Sequence, residues 1–332
     1  MKTRVRILVL LLLAIALLAS CGPQEVQKPP DEVTVQLKWV HQAQFAGFYA
    51  ADKKGFYAEE NLDVTLNPGG VHIPPDKMVA DLVGGETDFA IVGGDQLLTA
   101  RSQGEPAVAI AVVFQRNPYV YISLKDSGIE RPQDLVGKKI MVAPDAEIQH
   151  QALLRKLGIA PDAIEQIPYE RDVTPLVTGQ IDAHTVYRTG TGLTFDETGY
   201  ELNWIWVDDY GIHLYADTII TSEGLIQQNP DLVERFLRAT LKGWRYAIEN
   251  PAEAVDMTLQ HDPTLTRDRQ VRMMETQMPL IHTGQDQIGW MRAEVWQGMH
   301  DILLEHGLLD EPLDLDEVYT MEFLQKVYGG EE

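Results

Sequence analysis

The residues of this 332-residue chain best suited to chemistry are aromatic, amide-bearing and basic side chains at the ends of strands. Trp39 and Phe45 follow a first strand, with Tyr49 one helical turn beyond Phe45. Rings so placed can sandwich a flat ligand, adding about 0.5–1.5 kcal/mol to simple area burial. In the alternative, Phe45 and Tyr49 are core-facing residues of the helix. Gly93 and Gly94 let backbone approach a ligand closely, and the helix starting at Asp95-Gln96 offers N–H groups to carbonyl or hydroxyl oxygens. Asp95 has the alternative role of cap alone. Tyr187-Arg188-Thr189 follows a later strand. Arg188 brings donors and no acceptor, which suits either a ring edge bearing carbonyls or an ion pair with one of the 50 acidic residues.

Catalytic patterns do not accompany them. None of the nine histidines is spaced with a second histidine or a carboxylate as metal or acid–base chemistry requires, and His-Glu-x-x-His, Gly-x-Ser-x-Gly and the P-loop are absent from the sequence. One cysteine allows neither an internal disulfide nor a cysteine-rich zinc site. Gly190-Thr191-Gly192 is a fragment of a dinucleotide fingerprint, and Asp208-Asp209 and Glu59-Glu60 read as solvated surface. No catalytic residue, metal or cofactor is assigned, and binding is favoured over turnover. A net charge of −23 repels phosphate backbones and excludes nucleic acid as a partner, while 45% hydrophobic residues exclude disorder.

The elements that must hold these residues follow from periodicity. Val33 to Leu37 alternates as a strand, Phe45 to Lys54 predicts a helix stopped by Gly55, and Leu62 to Leu66 is a strand. Met78, Val79, Leu82 and Val83 form a helical stripe ended by Gly84-Gly85. Asp88 to Val92 is a buried strand, which Gly93-Gly94 turns into a helix capped by Asp95. Further strands are predicted at Tyr119 to Leu124, Lys139 to Val142 and Ile181 to Val186, with a turn or short helix at Pro132 to Leu135 and helices stopped by Gly158 and Gly179. The last third is helical. One face runs Val233, Phe236, Leu237, Thr240, Leu241, Trp244 and Ile248 behind Asn229-Pro230, and Asn250-Pro251-Ala252-Glu253 is a capping-box start. Val295, Trp296, Met299, Ile302 and Leu303 make a last stripe, closed by Gly307. Alternation of strand and helix in two units of similar size predicts an α/β protein with parallel sheets flanked by helices.

At the N-terminus, Lys2, Arg4 and Arg6 precede an apolar run from Ile7 to Leu18 and then Ala19-Ser20-Cys21. A charged region, a short apolar region and a small-residue site make a secretory signal, too short for the roughly 20 residues of a membrane span. The lone cysteine at its end resembles a bacterial lipoprotein box. Residues 1–20 are therefore expected to be a lipoprotein signal peptide and Cys21 the lipidated N-terminus, anchoring the protein outside the cytoplasm on the cell membrane. Proline-rich residues 21–32 are expected to form a flexible tether.

The block Lys38-Trp39-Val40-His41-Gln42-Ala43-Gln44-Phe45-Ala46-Gly47-Phe48-Tyr49-Ala50-Ala51, continuing to Lys54-Gly55-Phe56-Tyr57, resembles the opening of the substrate-binding proteins of bacterial ABC importers related to the thiamine-pyrimidine synthases. The likeness continues through Leu62-Asp63-Val64, Gly85 to Ala90, Asp134 to Ile140, Gly179 to Ala183 and Thr218 to Ser222. The resemblance implies a two-lobed periplasmic-binding-protein fold of type II, each lobe a mainly parallel sheet flanked by helices, with ligand in the interlobe cleft. One lobe would comprise 33–118 plus 214–332, and the other 119–213. With sites expected beyond the C-terminal ends of parallel strands, the cleft should draw on the loops Trp39 to Phe45, Val92 to Gln96, Ala143 to Glu147 and Val186 to Thr191. Gln115 beside the first crossover and Tyr119 within it would reach in from the hinge, and Asp145 with Glu147 from the opposite lobe.

The same resemblance sets the expected ligand. Relatives that bind a thiamine aminopyrimidine carry an Asn-Trp-Glu-like sequence where this chain has Tyr187-Arg188-Thr189. A carboxylate there suits an aminopyrimidine, whereas Arg188 suits the dione edge of a flavin. Riboflavin is thus expected first, a thiamine pyrimidine precursor second and a sulfonate-type small anion third, delivered by a monomer to an ABC permease and its ATPase. The synthases of the family carry a lysine and a histidine where this chain has Val92 and Gln96, and their cysteine-rich run is missing, so no enzyme activity is expected.

Overall fold

The strands fall into two five-stranded sheets, of order β2-β1-β3-β10-β4 and β7-β6-β8-β5-β9. The first contains β1 (Asp31–Gln36), β2 (Leu62–Asn67), β3 (Phe89–Val92), β4 (Ala107–Phe114) and β10 (Ala216–Ser222). The second contains β5 (Tyr119–Leu124), β6 (Lys139–Met141), β7 (Glu165–Ile167), β8 (Ala183–Tyr187) and β9 (Leu202–Trp206). A computed structural model describes residues 28–70, 72–170 and 172–330, of which Asp31 onward belongs to one compact unit. The signal peptide, Cys21 and most of the tether lie outside the described residues. The strand begins at Asp31, two residues before the apolar alternation does, because Asp31 pairs with Leu62 and its carboxylate takes Arg235 at 2.8 Å.

Both sheets depart from the parallel arrangement expected from the alternation of elements. β10 runs antiparallel to β3 and β4, and β5 runs antiparallel to β8 and β9. Each reversed strand follows a passage of the chain from one sheet to the other, so it enters its new sheet from the opposite end. β4 carries no period-two signal, since all eight of its residues are buried. Residues 115–118 and 207–215 form the two passages, and they are braced together. Asn117 Nδ2 donates to Leu214 O at 2.8 Å, and Arg116 pairs with Asp208 at 3.2 Å and with Asp209.

Helices cover both sheets: α1 (Ala46–Lys53), α2 (Pro75–Val83), α3 (Gly94–Ser102), α4 (Glu147–Lys156), α5 (Thr191–Asp196), α6 (Pro230–Glu249), α7 (Pro251–His261), α8 (Arg267–Ile281), α9 (Ala293–Glu305) and α10 (Glu322–Gly329). The apolar face read for α6 is buried from Val233 to Trp244 and half-buried at Ile248, with Phe236 stacked on Phe89 at 3.8 Å and Trp244 wholly enclosed. Gly47 of α1 lies under the Trp244 indole and Gly243 against the Gly47 carbonyl, and a Cβ at either position would overlap its neighbour. The two glycines allow α1 and α6 to touch at backbone distance. Asn229 caps α6 by accepting from Leu232 N at 3.2 Å. The capping box expected at Asn250 does not form. Asn250 turns back to Tyr246 O at 3.1 Å, and the Glu253 carboxylate serves Lys54 at 3.2 Å and the Tyr246 hydroxyl. Helix α3 is capped at Gly93, whose N–H donates to Gln96 Oε1 at 2.8 Å, so Asp95 is not the cap.

Candidate ligand-binding site

A cavity of about 300 Å³ opens where the loop after β1 meets the loops after β6, β7 and β8, at the small end of the usual range for ligand pockets. These are the C-terminal ends of the parallel strands, the expected location in α/β sheets. Trp39, Tyr119, Tyr169 and Tyr187 give it an aromatic lining. Tyr119 and Tyr187 face each other across β5 and β8, ring centroids 5.0 Å apart and nearly perpendicular. The Tyr119 hydroxyl is buried beside Asp145, and burial first, then the charge and hydrogen bonding of Asp145, push its pKa well above the ordinary tyrosine value.

Polar groups converge on the same space. Lys38, Gln42 and Gln44 enter from the loop after β1, Asp145 and Asp172 from the other sheet, and Arg269 from α8. Behind them lies Asp217, 1% exposed, accepting from Gln44 Nε2 at 2.7 Å and from the Tyr187 hydroxyl at 2.9 Å, with Lys38 Nζ at 3.5 Å. Asp95 is also buried, and desolvation pushes its pKa up to about 6 against the opposing pull of Lys38. Gln149 Nε2 donates to its carboxylate at 3.3 Å. His184 sits in the cavity wall between the edges of Tyr169 and Phe195, and burial lowers its pKa to about 4, so it is neutral at physiological pH.

The cavity rim is fastened by α8. Arg269 donates to Gly190 O at 3.1 Å, to Thr194 Oγ1 at 2.8 Å and to both oxygens of Glu197 at 3.1 Å, and Arg272 joins it on Glu197. α8 is itself tied to the loop after β1. Gln270 Oε1 accepts from Ala43 N at 2.7 Å, and Gln277 Nε2 donates to Ala43 O at 2.6 Å. Ala43, Leu193 and Met273 close the seam with a small buried apolar contact.

The site residues expected from sequence divide accordingly. Trp39, Tyr119, Asp145 and Tyr187 line the cavity together. Phe45 and Tyr49 do not. Both are fully buried in the core, and the Tyr49 hydroxyl is paired with His41 Nδ1 at 3.0 Å, so the core-facing alternative holds for them. Gly93, Gly94 and Asp95 lie behind the wall, and Gly94 N–H is already spent on Tyr215 O at 2.9 Å. Glu147 is likewise absent from the lining, its carboxylate taken by Gln151 and Gln166. Gln115 turns away to Trp290 O at 2.8 Å and Val112 O at 3.3 Å. Arg188 does not line the cavity: its Nη1 pairs with Asp196 at 2.8 Å and its guanidinium lies 4.1 Å over the Trp204 ring. Thr189 is 1% exposed and does not reach the lining. Sequence reasoning did not single out Lys38, Gln42 and Gln44, although these lining residues stand in the loop it chose. It missed Tyr169, Asp172, His184 and Arg269 because no local pattern marks them.

The fold is one shared with periplasmic binding proteins. The chain superposes on the aliphatic sulphonate binding protein SsuA of Escherichia coli with a TM-score of 0.70 at 14% identity, covering 90% of this chain and 99% of that one. Residues 42–254 match the NMT1/THI5-like family model, and the chain belongs to that family. It is 27% identical to the riboflavin-binding protein RibY of Chloroflexus aurantiacus over 97% of this chain and 98% of that protein. It is also 25% identical to the formylaminopyrimidine-binding protein of Halalkalibacterium halodurans, over 93% and 96% of the two chains. A 4-amino-5-hydroxymethyl-2-methylpyrimidine phosphate synthase of Legionella pneumophila is 25% identical over 89% of this chain and 92% of its own.

Proposed function

We propose that this protein is the extracytoplasmic solute-binding component of an ABC importer, and that it captures riboflavin for delivery to a permease and its ATPase. The observation that carries the reading is the full-length similarity to a riboflavin-binding protein, combined with a cavity walled by Trp39, Tyr119, Tyr169 and Tyr187. Flat rings with polar edges suit such a wall. Arg188 gives no support to this reading, because it stands outside the cavity lining and pairs with Asp196; among the lining residues the ammonium of Lys38 has the donors best placed for a ligand, while Gln44 and Arg269 already serve Asp217 and the rim. The lobes, taken as 33–118 with 214–332 and 119–213, close on the ligand by differential affinity for the closed state. Residues 1–20 serve as a signal peptide, and lipid on Cys21 holds the mature monomer at the membrane.

A thiamine pyrimidine precursor is the second reading, favoured by the carboxylates of Asp145 and Asp172 at the cavity, which suit an amino group and a protonated ring nitrogen. The same acids disfavour a sulfonate. Turnover is not proposed: the side chains of Val92, in the buried strand, and Gln96, which accepts from the Gly93 N–H, carry neither an amine nor an imidazole. Titrating the purified protein with riboflavin while following flavin fluorescence tests the first reading. Quenching at micromolar protein is expected. No quenching, alongside clear binding of formylaminopyrimidine, overturns the flavin assignment.

A further inference from the structure

We propose that Asp217 is a positioning residue of the cavity: it holds Lys38 as a charge-compensated donor beside the Tyr187 ring, and so fits the site to a flat ring with a carbonyl or ring-nitrogen acceptor edge. The ligand class rests on the reading above; the hold on Lys38 does not.

Each of the three side chains that meet the Asp217 carboxylate lines the cavity, although Asp217 itself does not. Lys38 and Gln44 come from the loop after β1 and Tyr187 from the end of β8, so one carboxylate joins walls built by both sheets. A carboxylate buried to this degree is costly unless paired and hydrogen-bonded, and these three partners are what meets that cost. Its backbone has φ +51°, a left-handed conformation that residues other than glycine adopt rarely and that Asp and Asn tolerate best.

Lys38 gains a defined place from the same contact. Its side chain is 11% exposed, and Nζ lies 5.4 Å from the centroid of the Tyr187 ring. A free ammonium in a cavity wall would attract any passing anion. Here Asp217 stands beside it and the charge of buried Asp95 acts on it as well, so the Lys38 ammonium presents N–H donors with its positive charge offset by neighbouring carboxylates. Such a donor beside an aromatic face matches a neutral ring carrying acceptors along one edge.

A double-mutant cycle tests the assignment. Asp217→Asn keeps the backbone conformation and an acceptor oxygen but removes the charge; it should weaken riboflavin at least tenfold with circular dichroism unchanged. Lys38→Met should do the same, and the double variant should lose no more than the larger single loss, since both act through one contact. Losses that multiply overturn the proposal. A second measurement needs no ligand: acetylation of Lys38 by acetic anhydride, read by peptide mass spectrometry, should quicken severalfold in Asp217→Asn while other lysines are unaffected. An unchanged Lys38 rate overturns the positioning role whatever the ligand. Asp217→Gly, which adopts positive φ freely, repeats both measurements if the Asn variant misfolds. A wild-type protein that binds no riboflavin, with Lys38 acetylation still dependent on Asp217, overturns the flavin reading alone.

Discussion

Replacing Asp95 by Asn should stabilise the protein at neutral pH and leave it unchanged near pH 4. Asp95 is 2% exposed, and burial raises its pKa from the ordinary 3.8 to about 6. The folded state therefore holds the proton more tightly than the unfolded chain does. Stability contributed by the protonated form is complete below about pH 4 and is lost as pH rises through 6. At about 1.36 kcal/mol for each pH unit between the two values, ionised Asp95 costs roughly 3 kcal/mol at pH 7.5. The Asn amide can still accept from Gln149 Nε2 and carries no charge to desolvate. In a chain of this size that is a rise in Tm of about 5 °C. Calorimetry of both proteins at pH 7.5 and pH 4 gives the comparison, with His184 common to both and so cancelling. An equal or lower Tm for the variant at pH 7.5 would mean that Lys38 and the local N–H groups repay the burial in full, and that buried Asp95 carries no destabilising charge.

Three further outcomes are expected. Gly47→Ala should destabilise by about 1–3 kcal/mol, the usual cost of overpacking, since the new methyl meets the Trp244 indole; a urea midpoint within error of wild type would contradict the α1–α6 packing. Arg188→Ala should leave riboflavin affinity within about twofold while Trp39→Ala weakens it about tenfold, equivalent to ~1.4 kcal/mol, and fluorescence titration showing the reverse order would restore Arg188 to the site. Glu197→Gln, which strips the shared carboxylate charge from Arg269 and Arg272, should speed ligand release severalfold in stopped-flow displacement, and an unaltered rate would mean the rim contact contributes nothing to retention.

Local signals determined much of this protein. Apolar period placed β1, α1, α6 and α9, and glycines with positive φ such as Gly55 and Gly158 ended helices where expected. Of the four loops named by the rule of strand C-termini, three line the cavity, Val92 to Gln96 does not, and the loop after β7 went unnamed. Trp39, Tyr119, Asp145 and Tyr187 were legible because each stands within or next to a strand end, where position in sequence nearly fixes position in space. The direction and partner of each long side chain, by contrast, came from the packing of distant segments. Arg188 could serve a ligand or an acid equally well until the fold set Asp196 and Trp204 against it. Asp217 and Arg269 carry no local mark, for their importance comes from partners 30 to 179 residues away in sequence and roughly 70 to 80 residues away respectively. A side chain's role in a cleft is an energy of contact between distant segments, and one-dimensional periodicity records only which face of its own element a residue occupies.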